Sequence, residues 1–122
     1  AARNIRPRMA GLVWVQGEAN SADSEATYRA ALDSLFASRL ADGLLASGSI
    51  RVMAKIYPGS SAYGAGVAAA EDAYVAANPG VSGTVTYANH FNGDNVHLNA
   101  QGQLQLGYDA YSALFGLPTI TA

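Results

Sequence analysis

At 122 residues, half of them apolar and only 13% charged, the chain is one packed globular domain or part of one, not a disordered tail. A net charge of −2 gives no long-range attraction to nucleic acid or anionic membrane, and no apolar run approaches the ~20 residues that span a bilayer. Without cysteine there is no disulfide framework, no thiolate metal site and no cysteine nucleophile.

Residues 10–16 (AGLVWVQ) form a nearly continuous apolar run, the pattern of a strand covered on both faces. A polar cluster follows at once: Gln16, Gly17, Glu18 and Asn20. Next comes a long helical ladder of Tyr28, Leu32, Leu35, Phe36 and Leu40, with Ser21, Asp23 and Ser24 available as caps and Gly43 as the stop. Residues 50–57 (IRVMAKIY) alternate as a strand that Pro58-Gly59 ends. The glycine-rich YPGSSAYGAG (57–66) lacks the lysine and hydroxyl ending of a phosphate loop and reads as a flexible connection. An alanine-rich helix over 66–78 stops at Asn78-Pro79-Gly80, and 84–87 (TVTY) form a third strand. The loop HFNGDNVH precedes a last helix over roughly 100–115, with Leu104, Tyr108, Tyr111 and Leu114 or Phe115 expected toward the core. Strand–helix alternation of this kind specifies right-handed crossovers and a parallel sheet, with sites beyond the carboxyl ends of the strands.

Two strand ends carry dense polar residues. Asp94 and His97, spaced D-x-x-H, are close enough in a turn for the carboxylate to hold the imidazole, as a general base requires. That spacing is also common by accident, and Asp94 can simply cap a turn. His90, Asp94 and His97 together supply three ligands of the kind that suits an open zinc site, although no helical histidine pair supports one. Glu18 alone reads as a solvated loop acid and Trp14 as core.

Taken together, the W-x-Q-G-E-x-N block (Trp14 to Asn20) and "DNVHLNAQGQLQLG" resemble the SGNH (GDSL-like) hydrolases, most closely the sialate O-acetylesterase and acetylxylan esterase branch. The resemblance runs from about residue 10 to residue 115. It implies a three-layer α/β/α, flavodoxin-like fold with a parallel sheet, here lacking its first strands. It implies a serine esterase that removes acetyl groups from glycans, with His97 as base and Asp94 as its orienting acid. The Gly17 N–H and an amide from Gln16 or Asn20 would face the oxyanion, and Glu18 would orient neighbours from below. No cofactor and no metal are implied.

The family's Gly-x-Ser block is absent, because only about nine residues precede the first strand and no serine stands where that block requires one. Ser60 and Ser61 follow the wrong strand; Ser21 and Ser24 begin a helix. Residues 1–122 therefore read as the C-terminal portion of a single SGNH-like domain, and the opening Ala1-Ala2 as that of a processed or truncated chain. The nucleophile would come from a missing segment or second polypeptide, which pairs with the open flank of the 10–16 strand. The alternative is an inactive glycan-binding or structural module, such as a phage tail or receptor-binding component. The resemblance favours an extracellular or virion-associated setting.

Overall fold

The computed structural model describes residues 9–87 and 89–116; Ala1-Ala2 lies outside them. Strands β1 (Met9–Trp14), β2 (Leu45–Lys55) and β3 (Ser82–Thr86) alternate with helices α1 (Glu25–Ala41), α2 (Ala65–Ala77) and α3 (Ala100–Phe115). The strands form one sheet in the order β1-β2-β3, and both pairings are parallel. This is a small three-layer α/β unit, as the alternation predicts. On one face Tyr28, Leu32 and Phe36 of α1 and Val67, Ala70 and Tyr74 of α2 bury Leu45 and Met53 of β2. On the other, Val52 and Ala54 of β2 and the adjacent Ile56 meet Val85 and Tyr87, with Leu106, Ala113 and Leu114 of α3 packed against them. The period-2 alternation of β2 thus divides its side chains between two cores.

The helix ends follow their local signals. The Ser24 side chain caps α1 by accepting from the Thr27 N–H, and Gly43 takes a positive φ of 74° just past its end. The α1 stripe holds for Tyr28, Leu32 and Phe36, whereas Leu40 is exposed. Each four-residue step advances about 40° around a helix, so by Leu40 the ladder has rotated roughly 120° off the sheet. Strand β2 begins five residues before the sequence suggests. Met9 pairs with Leu45 but Gly11 pairs with Ile50, so β2 bulges there. Ser49 closes the bulge by donating to the Met9 carbonyl at 2.8 Å and accepting from the Ala46 N–H.

Helix α3 turns inward only part of the face expected: Leu114 meets the core and Tyr108 is half-buried, but the other expected residues face out. Leu104, Tyr111 and Phe115 are 77%, 52% and 65% exposed, while Gly102 and Ala110 are buried and Leu106, Ala113 and Leu114 meet the sheet. Gly102 lets the helix start seat against the His90 loop, and the large residues are left as an outer stripe. Beside that stripe, β1 is an edge: among the described residues it pairs only with β2, and Val15 beyond it is half exposed.

Candidate active site

All three strands run the same way, so the segments after β1, β2 and β3 gather along one edge of the sheet. After β1, Gly17 adopts φ 137°, and a Cβ there would stand 2.9 Å from Val67 Cγ1 of α2. Only glycine both reaches that conformation and lets the turn settle on α2. A chain of side-chain hydrogen bonds flanks it. Trp14 Nε1 donates to the Tyr28 hydroxyl at 3.2 Å, and that hydroxyl donates to Gln16 Oε1 at 2.6 Å. Gln16 Nε2 donates to Asn20 Oδ1, and Asn20 Nδ2 to Asp23 Oδ2 at 2.8 Å. Each amide nitrogen has two hydrogens, so each retains one beyond this chain. Glu18 Oε1 accepts from the Tyr87 hydroxyl at 3.2 Å, which ties the turn after β1 to the end of β3.

The loop after β3 is closed at its base by an antiparallel bridge between Phe91 and Leu98. Asn99 caps α3 by accepting from the Gly102 N–H, and a Cβ at Gly102 would lie 2.5 Å from the His90 carbonyl oxygen. The loop is therefore seated directly on the helix start. Within it, Asp94 Oδ1 accepts from the Val96 and His97 N–H groups, each at 3.0 Å. Its Oδ2 meets His97 Nδ1 at 2.6 Å. That contact leaves most of the imidazole open, with the side chain 77% exposed.

The electrostatics follow from these contacts. The His97 hydrogen bond, with the two backbone donors, holds the Asp94 carboxyl well below the usual carboxylate range. Asp94 in turn raises the His97 pKa, through the hydrogen bond and its charge, and Glu18 adds to the rise. The turn after β1 and the D-x-x-H loop thus share one electrostatic neighbourhood. Burial, and then Glu18, push the Tyr87 phenol far up, so it remains a donor at any physiological pH.

Glu71 of α2 has no parallel in the sequence reading. It is 1% exposed, its Oε1 lacks a hydrogen-bond partner among the described residues, and burial pushes its carboxyl up to about 7. Its position is legible afterwards, because Val67, Glu71 and Tyr74 fall on one helical stripe. The loop after β2 also proves more than a flexible connection. Ser60 is buried and donates to the Asn95 carbonyl at 2.8 Å. Among the described residues, no three His, Cys, Asp or Glu side chains converge as a metal cluster.

A model of the family described as carbohydrate esterase, sialic acid-specific acetylesterase, matches residues 1–115. Neither a curated protein nor a solved structure matches the chain. The match spans both strand-end blocks and all three strands, and it implies acetylesterase-type function in general. The chain belongs to the carbohydrate esterase family of sialic acid-specific acetylesterases.

Proposed function

We propose that this chain supplies the acid–base half of a serine O-acetylesterase acting on acetylated glycans. The observation that carries the reading is the 2.6 Å contact between Asp94 and His97, open on its outer side and within reach of the charge of Glu18 from the turn after β1. In this mechanism the remaining imidazole nitrogen of His97 takes the proton of a serine hydroxyl as that oxygen attacks the acetyl carbonyl. Asp94 holds the tautomer and stabilises the imidazolium. The Gly17 N–H, with the spare hydrogen of Gln16 or Asn20, faces the oxyanion, where each such donor contributes roughly 3 kcal/mol at the transition state. His97 then gives that proton to the departing sugar oxygen, which leaves as a hydroxyl, and water, activated by the same imidazole, releases acetate from the serine. Triad chemistry of this kind needs no cofactor.

The serine comes from a segment outside these residues, docked along the free edge of β1. Three features support that placement. Residues 9–14 (MAGLVW) contain no lysine, proline or other guard against pairing. Exposed Val15 and Tyr111 line one groove beside β1, and exposed Phe115 lines another with Ala10 and Gly11. A groove of about 400 Å³, lined by Val13, Val15, Leu106, Ala110 and Leu114 among others, runs between β1 and α3.

The test uses the intact protein carrying its Gly-x-Ser segment, assayed on an aryl acetate and on O-acetylated sialic acid and xylan. Hydrolysis that disappears in His97→Ala supports the proposal. An intact wild-type protein that binds these glycans without hydrolysing them would leave the inactive binding module as the answer.

A further inference from the structure

The His97–Asp94 pair sits in a loop that could adjust freely, yet its tip is anchored to a different strand end. We propose that Asn95 and Ser60 are positioning residues: the loop after β2 is a seat into which Asn95 locks, and that lock sets the alignment of Asp94 with His97. This rests on the esterase reading for its catalytic consequence, but the mechanical claim stands on contacts alone.

Asn95 has φ 55°, and among the described residues no other non-glycine residue has a positive φ. Asparagine is one of the few side chains that tolerate this left-handed region. The conformation matters because Asn95 lies inside the turn in which Asp94 Oδ1 collects the Val96 and His97 N–H groups. Reversing the chain at residue 95 brings both donors back toward one carboxylate oxygen, leaving Oδ2 for the imidazole.

The turn does not depend on itself alone. The Asn95 carbonyl accepts from Ser60 Oγ at 2.8 Å, from the Ser61 N–H at 3.2 Å and from Ser61 Oγ at 3.3 Å. In the other direction, Asn95 Nδ2 donates to the Gly59 carbonyl at 3.0 Å. Its own N–H is taken by Asn92 within the loop at 3.0 Å. Every polar group of Asn95 except its side-chain oxygen is therefore committed, most of them to residues 59–61. The seat itself is rigid: Ser60 is buried, its N–H donates to the Tyr57 carbonyl, and its Oγ accepts from the Ala62 N–H. These commitments also remove Ser60 from contention as a nucleophile, since its hydroxyl hydrogen is spent on a carbonyl. Misplacement of a general base by about 1 Å is enough to cost roughly 100-fold in rate, so a seat of this kind has a kinetic consequence.

The decisive readout is the NMR titration midpoint of His97, measured in the intact protein for wild type, Asn95→Ala, Asn95→Gly and Ser60→Ala. The charged groups facing His97 are Asp94 and Glu18, and neither is altered by these changes. Loss of the lock loosens the Asp94 contact, so the His97 midpoint falls toward the ordinary histidine value of about 6.5 in Asn95→Ala and Ser60→Ala. In the same variants kcat drops roughly 10- to 100-fold while KM stays within about twofold. Asn95→Gly, which keeps the left-handed turn and the carbonyl, recovers most of both losses. Asn95 is at an exposed tip, so Asn95→Ala decides the matter even if Ser60→Ala does not fold. A His97 midpoint unchanged from wild type in the folded variants overturns the proposal. A shifted midpoint in a protein with no esterase activity at all would sustain the seat and reject the esterase reading.

Discussion

The Tyr87 hydroxyl donates to Glu18 Oε1 at 3.2 Å, linking residues 69 positions apart across the carboxyl edge of the sheet. The donor is buried and the acceptor is the carboxylate of the QGE turn. Removing the hydroxyl in Tyr87→Phe leaves Glu18 without this partner, at a cost of roughly 1.5–3 kcal/mol for a hydrogen bond to a charged group. The expected outcome is a lower unfolding midpoint in denaturant with an unchanged m-value. Stability equal to wild type would show that Glu18 is satisfied by solvent instead.

His97 and Asp94 carry the catalytic prediction. In the intact enzyme His97→Ala lowers acetyl-ester turnover by several orders of magnitude, and Asp94→Asn by somewhat less, with folding intact. Steady-state kinetics check both. Full activity in His97→Ala would remove the imidazole from the mechanism.

The same pair sets the pH dependence. The base must be unprotonated, and the pKa of His97 is raised by its hydrogen bond to Asp94 and by that group's charge. Activity therefore falls off on the acid side at a pH above the ~6.5 of an ordinary histidine. Asp94→Asn removes the charge and leaves at most a weaker, neutral hydrogen bond, so it moves the acid limb back down. A kcat/KM profile against pH for the two proteins measures the displacement, and a limb that moves up instead contradicts the assignment.

Glu71 provides a stability test independent of activity. Its carboxyl rises from 4.5 to about 7 because burial disfavours the charge; Asp72 and Glu18 add to the rise and Lys55 opposes it. The unfolded chain ionises at the lower value, so between these limits it binds fewer protons than the folded protein. Stability thus declines as pH rises through that window, by at most about 3 kcal/mol, and is undiminished below it. Glu71→Gln should raise Tm at pH 8 by roughly 7 °C, about 2 kcal/mol, and change little at pH 4.5. Thermal unfolding at the two pH values gives the answer, and equal shifts at both would mean that ionisation is not the cause.

The open flank of β1 predicts the behaviour of residues 1–122 expressed alone. Exposed Val15, Tyr111 and Phe115 beside an unguarded strand, with Leu104 exposed on the same helix, should drive self-association, with no ester hydrolysis. Leu104→Glu combined with Phe115→Glu should shift sedimentation toward monomer without restoring activity. A wild-type chain that is a cooperative, soluble monomer would count against the docking proposal.

What the sequence determined by itself was whatever depends on neighbours a few residues away. The alternation of strand and helix, the Ser24 cap, the Gly43 stop and the extent of α3 all follow from local patterns. The nearness of Asp94 and His97 belongs with them, because residues three apart in one turn lie close together, although the seat at residues 59–61 that fixes the turn is distant in sequence. The tertiary structure alone decided the rest. Leu104, Tyr111 and Phe115 make as good an inward stripe by periodicity as Leu106, Ala110 and Leu114 do. Periodicity identifies apolar faces but cannot choose which one the sheet occupies. The burial of Glu71, the bulge that lengthens β2, and the bonds from Ser60 to Asn95 and from Tyr87 to Glu18 join residues distant in sequence. No local signal encodes such pairs, since they exist only once the parallel strands have brought their carboxyl ends to one edge.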